Sequence, residues 1–160
     1  MTGPLYVSVS GSADAPPEVI ALAEEVGSRL AAANAVVVCG GLGGVMEAVC
    51  RGAKSAGGTT VGILPGTTHS DANDFVDVAL PTGLGESRNA LVARAADALI
   101  AIGGEFGTLS EIALAIKIGK PVIGLGTWDL HRRGEAVDAI KAAATPEEAV
   151  SLALRLARGA

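Results

Sequence analysis

The sequence has few aromatic and few basic residues. Its 160 residues include one Trp, one Tyr and two Phe, so the core must be built from Ala, Val, Leu and Ile. The net charge is -5, and a chain of this charge lacks the basic stripe of a nucleic-acid surface. We therefore expect no nucleic-acid partner. A small anionic ligand is still compatible with this charge, because backbone N–H groups bind phosphate without net positive charge.

Long hydrophobic runs and cysteine clusters are also missing. The longest apolar stretches, such as ADALIAIGG, are too short to cross a bilayer, and the N-terminus lacks the pattern of a secretory signal. Cys39 and Cys50 are the only cysteines, and their spacing fits neither a metal site nor a redox pair. We expect free, buried thiols in a cytoplasmic protein without a membrane partner, a metal or a bound cofactor.

Nearly half of the residues, 49%, are hydrophobic, and strand-like runs alternate with helix-like runs. Strands are predicted at residues 5–10, 35–41, 59–66, 76–82, 96–104 and 121–126. Helices are predicted at residues 17–33, 45–56, 86–96 and 109–118, with one or two more after the last strand, the final one at 146–158. This alternation predicts one domain over residues 1–160, an α/β fold with a doubly wound, Rossmann-like parallel sheet and helices on both faces.

Glycine-rich segments follow three of the predicted strands. Glycine allows close backbone approach, and the N-terminus of a following helix offers free N–H groups, so such loops are typical of phosphate sites. Each loop alone is equally consistent with a tight strand-to-helix turn, and Met46 packs either against a base or in the core. The candidate nucleotide-binding residues are Gly11, Ser12, Gly40, Gly41, Gly43, Gly44, Met46, Gly103, Gly104, Glu105, Phe106, Gly107 and Thr108.

Two charged residues stand out next to these loops. Arg88 falls in the first turns of a predicted helix, where a cation is mildly unfavourable, so helix electrostatics does not explain it. It is either a solvated arginine or a fork for phosphate or ribose. Glu111 ends the segment Thr108-Leu109-Ser110-Glu111, which matches a helix capping box, and it is either the cap's reciprocal partner or a carboxylate placed for chemistry.

The segments CGGLGGVMEAVCRGAKSAGGTTVGILPG and ESRNALVARAADALIAIGGEFGTLSEI together resemble the LOG ("lonely guy") family, in particular a small bacterial branch related to the molybdenum cofactor carrier protein. The resemblance covers about residues 5–126. It implies a phosphoribohydrolase that splits a nucleoside 5′-monophosphate into free base and ribose 5-phosphate. It also implies that Arg88 and Glu111 are catalytic, that Gly103, Gly104, Gly107 and Thr108 bind phosphate, and that the chain forms a homodimer.

The loop GGLGGVMEA differs from the pattern that the resemblance implies for the hydrolases. This difference keeps open a second interpretation, a non-catalytic protein that binds or carries a nucleotide or the molybdenum cofactor, a pterin. Proteins of this family have long carried the label lysine decarboxylase. That label has no support, because none of Lys54, Lys117, Lys120 and Lys141 lies in a recognisable cofactor-binding motif.

Overall fold

The computed structural model describes residues 3–159, and over these residues strands and helices alternate along most of the chain. The strands are β1 Tyr6–Gly11, β2 Val36–Cys39, β3 Thr60–Leu64, β4 Val78–Pro81, β5 Ala98–Ile102, β6 Val122–Leu125, β7 His131–Arg132, β8 Glu135–Ala136 and β9 Ile140–Ala142. The helices are α1 Pro17–Ala32, α2 Val45–Ser55, α3 Asn89–Arg94, α4 Phe106–Lys117 and α5 Pro146–Arg158. Single 3-10 turns cover His69–Asp71 and Gly85–Arg88.

The main sheet has seven strands in the order β4-β3-β2-β1-β5-β6-β9, and every pair in it is parallel. Strands β1 to β4 run outward in one direction, and the chain then crosses back to place β5 on the other side of β1. The predicted doubly wound α/β sheet is thereby confirmed. Its switch point lies between β1 and β5, where ligands of such folds bind outside the carboxyl ends of the strands.

Alternate residues of each strand face opposite sides of the sheet, and helices cover both sides. On one side α1, α2 and α5 pack against Val7, Val37 and Ile100 in the larger cluster of buried residues. On the other side α3 and α4 pack against Leu99 and Ala101. Because both faces are covered, β5 is a continuous apolar run rather than an alternating one.

Small side chains bring α1 and α2 very close together. A Cβ added at Gly27 would lie 2.0 Å from the Val49 carbonyl oxygen, and one at Gly52 would lie 1.9 Å from that of Glu24. Any side chain at either position would force the helices apart. The core therefore reaches dense packing with Ala, Val, Leu and Ile, as the scarcity of aromatic residues requires.

The C-terminal third differs from its prediction. Residues 121–126 were expected to hold the last clear strand, but β9 adds a further edge strand, and β7 and β8 form a small antiparallel hairpin. These strands are two or three residues long and mostly exposed, so they carry no hydrophobic pattern. Within the residues that the structure describes, α5 is the one helix after β9, and its bounds match the prediction; Thr145 caps it by accepting the Glu148 N–H.

The start of α4 also differs from its prediction. The helix begins at Phe106 with Glu105 as its N-cap residue, so Thr108 lies inside the first turn. Thr108 is therefore not a cap, and the capping-box interpretation of Glu111 is wrong.

The prediction of free, buried cysteines is confirmed: Cys39 and Cys50 are both free and buried, with their sulfur atoms 3.5 Å apart. Among the described residues, no helix is long and apolar enough to cross a membrane.

Candidate functional site

A cavity of about 330 Å³ opens at the switch point between β1 and β5. Its walls come from the loop after β1, the start of α2, the 3-10 turn before α3, and the start of α4. The lining residues are Ser10, Gly11, Ser12, Ala13, Leu42, Met46, Pro65, Glu86, Arg88, Asn89, Glu105, Gly107, Thr108 and Glu111. Residues separated by up to about a hundred positions in sequence thus meet at one edge of the sheet.

Arg88 is the cation of this cavity lining, and most of its side chain is buried. Only 8% of the residue is exposed. Its Nη1 donates to the Asn89 Oδ1 and lies 3.8 Å from the Glu111 Oε1, and its Nη2 donates to the Gly40 carbonyl oxygen at 3.4 Å. Its Nε has no hydrogen-bond partner among the described residues. The solvated-arginine interpretation does not match this burial.

Asn89 connects the arginine to the start of α4. Its Oδ1 accepts from Arg88, and its Nδ2 donates to the Ser110 Oγ at 3.1 Å. The Ser110 hydroxyl in turn donates to the Gly107 carbonyl oxygen at 2.6 Å. This chain of hydrogen bonds ties the guanidinium to the helix turn that borders the cavity, and Asn89 is itself buried.

Glu111 points inward rather than toward the end of its helix, and it is 7% exposed. Burial raises the pKa of its carboxyl group from 4.5 to about 7, while the Ser10 side chain and the Arg88 charge act in the opposite direction. A carboxyl group with such a pKa is close to half-ionised at neutral pH. It can therefore donate or accept a proton, which is a property common at functional sites.

The loop between β5 and α4 presents backbone to its surroundings. Gly103 and Gly104 have φ of 55° and 102°, which non-glycine residues rarely adopt. The first N–H groups of α4, at Phe106, Gly107 and Thr108, have no partner within the helix and carry its partial positive charge. Glu105 places a carboxylate at the same helix end. With Glu86 and Glu111, the cavity has three carboxyl side chains and one guanidinium.

The loop between β2 and α2 uses its glycines differently. A Cβ at Gly40 would meet the Arg88 guanidinium at 2.5 Å, and one at Gly41, where φ is 77°, would meet the Leu64 side chain at 2.6 Å. One at Gly44 would lie 2.3 Å from the Ser12 carbonyl oxygen, whereas Gly43 has no neighbour closer than 3.9 Å. These glycines allow close packing within the protein, and none of the four lines the cavity.

The predicted residues therefore fall into two groups. The cavity brings together Arg88 and Glu111 with Gly11, Ser12, Met46, Glu105, Gly107 and Thr108. Gly11 is also constrained by packing, because a Cβ there would meet the Val45 side chain at 2.5 Å. Gly103 and Gly104 border a separate cavity of about 260 Å³ beside Trp128, and Phe106 borders a third cavity.

Several lining residues were not among the predicted site residues. These residues are Ser10, Ala13, Leu42, Pro65, Glu86 and Asn89. The signal for Ser10 was available, since it lies in the last two residues of β1 at the switch point, and its side chain lowers the pKa of the Glu111 carboxyl. Leu42 and Pro65 are ordinary loop residues, and only the folded chain brings them to the cavity.

The parallel sheet, its switch point and the cavity beside β1 define a LOG-like, Rossmann-type protein, as the sequence resemblance implied. The chain belongs to the SLOG cluster 4 family, whose model matches residues 4–151.

Two solved structures are similar to this chain over almost its whole length. The molybdenum cofactor binding protein from Rippkaea orientalis is 35% identical, with a TM-score of 0.88, and the match covers 98% of this chain and 99% of that one. The molybdenum cofactor carrier protein from Chlamydomonas reinhardtii is 33% identical, with a TM-score of 0.86, and the match covers 99% and 100% of the two chains.

An enzyme relative matches over a shorter stretch. A protein of Oryza sativa subsp. japonica described as a probable cytokinin riboside 5′-monophosphate phosphoribohydrolase is 32% identical over 97 residues. That match covers 59% of this chain and 43% of the rice protein. Both functional interpretations of the sequence thus have a relative of the corresponding description.

Proposed function

We propose that this protein binds and carries a phosphorylated heterocyclic ligand, with the molybdenum cofactor, a phosphorylated pterin, as the first candidate. The observation that carries this proposal is the whole-length similarity to the R. orientalis and C. reinhardtii proteins. In this proposal the cofactor is cargo rather than a resident group. The ligand is a small molecule, and neither a nucleic acid nor a membrane is a proposed partner.

The cavity supports this proposal through its neutral donors. A phosphate at the start of α4 would accept hydrogen bonds from the backbone N–H groups of Gly107 and Thr108. Arg88 lines the cavity and contributes positive charge to it, while each of its Nη atoms also donates to a partner within the protein. Protonation of Glu111 would remove one of the carboxylates that repel the ligand. The site is thus suited to holding a ligand by fixed dipoles.

A second candidate is N-glycosidic bond hydrolysis, and the contact between Glu111 and Arg88 favours it. Cleavage of a nucleoside monophosphate builds positive charge on the ribose ring, which the Glu111 carboxylate would stabilise. The same carboxylate would orient the attacking water, and Arg88 would hold the ligand near the reacting centre. The products would be the free base and ribose 5-phosphate. The similarity to the rice enzyme supports this candidate over part of the chain.

One pair of assays separates the two functions. The purified protein is incubated with AMP and with isopentenyl-AMP, and free base is measured by chromatography. In parallel, ligand that stays with the protein through purification is released and identified by mass spectrometry. A bound pterin without base release supports carriage, and base release that Glu111→Gln abolishes supports hydrolysis. A protein that retains no ligand, releases no base and gives no calorimetric signal with a nucleotide or a pterin contradicts both.

We also propose that the chain forms a homodimer. Several large apolar side chains are exposed near β4 and α3, namely Val78, Leu80, Leu84 and Leu91. Val78 and Leu80 lie on the same face of β4, and exposed apolar side chains that adjoin one another are typical of an association surface. Sedimentation equilibrium is expected to give twice the 15.8 kDa mass of the chain. A monomer at micromolar concentration would contradict the proposal.

A further inference from the structure

Phe106 is the most exposed large apolar residue of the part of the chain that the structure describes. Its exposed fraction is 75%, in a protein with only two Phe, one Tyr and one Trp. It is the first residue of α4 and follows Glu105 directly. Exposing a ring of this size forgoes the free energy of burying it, so its place at the start of a helix beside the cavity calls for a functional explanation.

The ring of Phe106 is supported by a second aromatic side chain. Its centroid lies 5.6 Å from that of Trp128, and the two ring planes are inclined by 42°. This distance is within the range of favourable aromatic pairs. Trp128 follows β6, so it comes from a different strand of the sheet edge. The pair orders the Phe106 ring while leaving most of it available to solvent.

Phe106 borders a cavity that adjoins the one at the switch point. This cavity has a volume of about 580 Å³, and its lining residues are Glu86, Ser87, Asn89, Ala90, Phe106, Gly107, Ser110 and Leu114. Three of them, Glu86, Asn89 and Gly107, also line the switch-point cavity. The two spaces therefore meet at a shared wall. The walls of the second combine apolar surface with hydroxyl, amide and carboxylate groups.

Resting on the proposed function, we propose that this second cavity binds the planar heteroaromatic ring of the ligand, stacked on Phe106, while the phosphate occupies the switch-point cavity. Purines and pterins share the two features that such a cavity selects, a flat π-surface and an edge of hydrogen-bonding groups. The Phe106 ring would stack on the flat π-surface. The Ser87 and Ser110 hydroxyls and the Glu86 carboxylate would form hydrogen bonds with the polar edge. Met46, the other candidate neighbour of a base, is buried between Gly40 and the cavity wall.

Calorimetric titrations of three ligands test the assignment. AMP and dihydroneopterin monophosphate both combine a ring with a phosphate, and ribose 5-phosphate lacks the ring. Phe106→Ala is expected to weaken binding of the preferred ring-bearing ligand about tenfold or more, as loss of an aromatic stacking partner does elsewhere. Ribose 5-phosphate affinity is expected to stay unchanged. Phe106→Tyr keeps the stacking surface and is expected to bind nearly as wild type.

Matched controls make the result specific. Tyr6→Ala removes an exposed aromatic side chain outside both cavities and is expected to leave all three affinities unchanged. The stronger of the two ring-bearing ligands identifies the ring class as purine or pterin. The fluorescence of Trp128, the only Trp, reports ring binding independently because Phe106 lies against it.

The possible failures are distinguishable. Wild-type affinity of Phe106→Ala for the preferred ring-bearing ligand overturns the ring cavity and leaves the proposed function intact. Equal weakening of ring-bearing ligand and ribose 5-phosphate also overturns it, since the loss then comes from the helix start as a whole. A change in oligomeric mass without a change in affinity assigns Phe106 to an interface instead. A wild-type protein that binds none of the three ligands overturns both the ring cavity and the proposed function.

Discussion

The loop between β2 and α2 and the loop between β5 and α4 look alike in sequence, yet their glycines do different things. In the first loop, Gly40, Gly41 and Gly44 make room for neighbouring protein atoms. In the second, Gly104 packs against the Thr108 side chain, 2.4 Å from an added Cβ, and Gly103 has no neighbour closer than 3.7 Å. Gly107, in the first turn of the following α4, has no neighbour closer than 3.9 Å and borders two cavities. Paired glycines between a strand and a helix therefore indicate close approach, and only the structure shows whether protein or ligand is what approaches.

The largest expected effect comes from filling the packed loop. Gly44→Ala places a Cβ 2.3 Å from the Ser12 carbonyl oxygen at a φ of 62°. Left-handed strain and overpacking together are expected to lower the free energy of unfolding by about 4 kcal/mol. Urea denaturation measures this. Gly43→Ala is the control, with no neighbour inside 3.9 Å and an expected change of less than about 1 kcal/mol. Similar losses for both variants would contradict the packing role.

The next effect concerns the pH dependence of stability. The folded protein holds the Glu111 pKa at about 7, above the ordinary 4.5, so the fold favours the protonated form. Preferential protonation of Glu111 therefore adds about 3 kcal/mol to the free energy of unfolding at low pH. This contribution is complete below about pH 4.5 and is lost as the pH rises through 7. Glu111→Gln resembles the protonated form and is expected to be more stable than wild type at pH 8 by about that amount.

Denaturation curves of wild type and Glu111→Gln between pH 4.5 and pH 8 check this expectation. The two proteins should be equally stable at the acidic end and diverge with rising pH. Parallel pH profiles would show that burial does not govern this carboxyl group. The comparison also separates stability from function, because any loss of base release in this variant would occur in a protein that is more stable at pH 8.

Asn89 is expected to have an intermediate effect, because it joins Arg88 to the start of α4. Asn89→Ala leaves a buried guanidinium without one acceptor and the Ser110 hydroxyl without one donor, so we expect a loss of about 2 kcal/mol. Thermal unfolding measures it. Ser110→Ala breaks only one end of this connection, so a loss as large as that of Asn89→Ala would contradict the role of Asn89 as the bridge.

Gly107→Ala is expected to change the free energy of unfolding in the opposite direction to Gly44→Ala. The residue lies in the first turn of α4 with open space around an added Cβ, so alanine is expected to stabilise the protein by about 0.5 kcal/mol. The same methyl group would narrow the cavity and weaken AMP binding in calorimetry. A variant that is destabilised, or that binds AMP as wild type does, would remove the distinction between the two loops.

The smallest effect is expected at Glu105, whose carboxylate lies at the α4 N-terminus where the phosphate would bind. Glu105→Gln removes a repulsion of about 0.5 kcal/mol, so AMP affinity should rise about twofold at low salt. Because the side chain is exposed, the gain should disappear at 1 M salt. Weaker binding by this variant would mean that the carboxylate contacts the ligand favourably.

The regular parts of the fold were predictable because β1, β2, β3, β5, β6 and α1 to α5 carry buried apolar residues, and β4, although none of its residues is buried, still has an apolar run of residues. The hairpin β7–β8 and β9 were missed, since strands of two or three mostly exposed residues have no such pattern. The start of α4 was misplaced because Phe106 and Gly107 are poor helix formers, and a threonine with a glutamate three positions later looks like a cap.

For the site, the resemblance paired Arg88 with Glu111, and the structure places the Arg88 Nη1 and the Glu111 Oε1 3.8 Å apart. The burial of both side chains and the raised pKa of Glu111 depend on the surrounding tertiary structure, so they could not be predicted from the residue types. The bridging role of Asn89 was also hidden, because a polar residue at the start of a six-residue helix usually faces solvent. Likewise, nothing in the sequence distinguished the packed glycines, Gly40, Gly41, Gly44 and Gly104, from the open ones, Gly43 and Gly107.

The most direct test is a two-dimensional NMR titration of the isotope-labelled protein with AMP, a stable phosphorylated heterocycle. The central claim is that the start of α4 binds the phosphate and that the glycines of the loop before α2 serve packing, although Leu42 of that loop lines the cavity. Amide shifts are therefore expected to be largest at Gly104–Thr108 and clearly smaller at Gly41–Val45. Shifts centred on Gly41–Val45, or no saturable shift in either loop, would contradict the account.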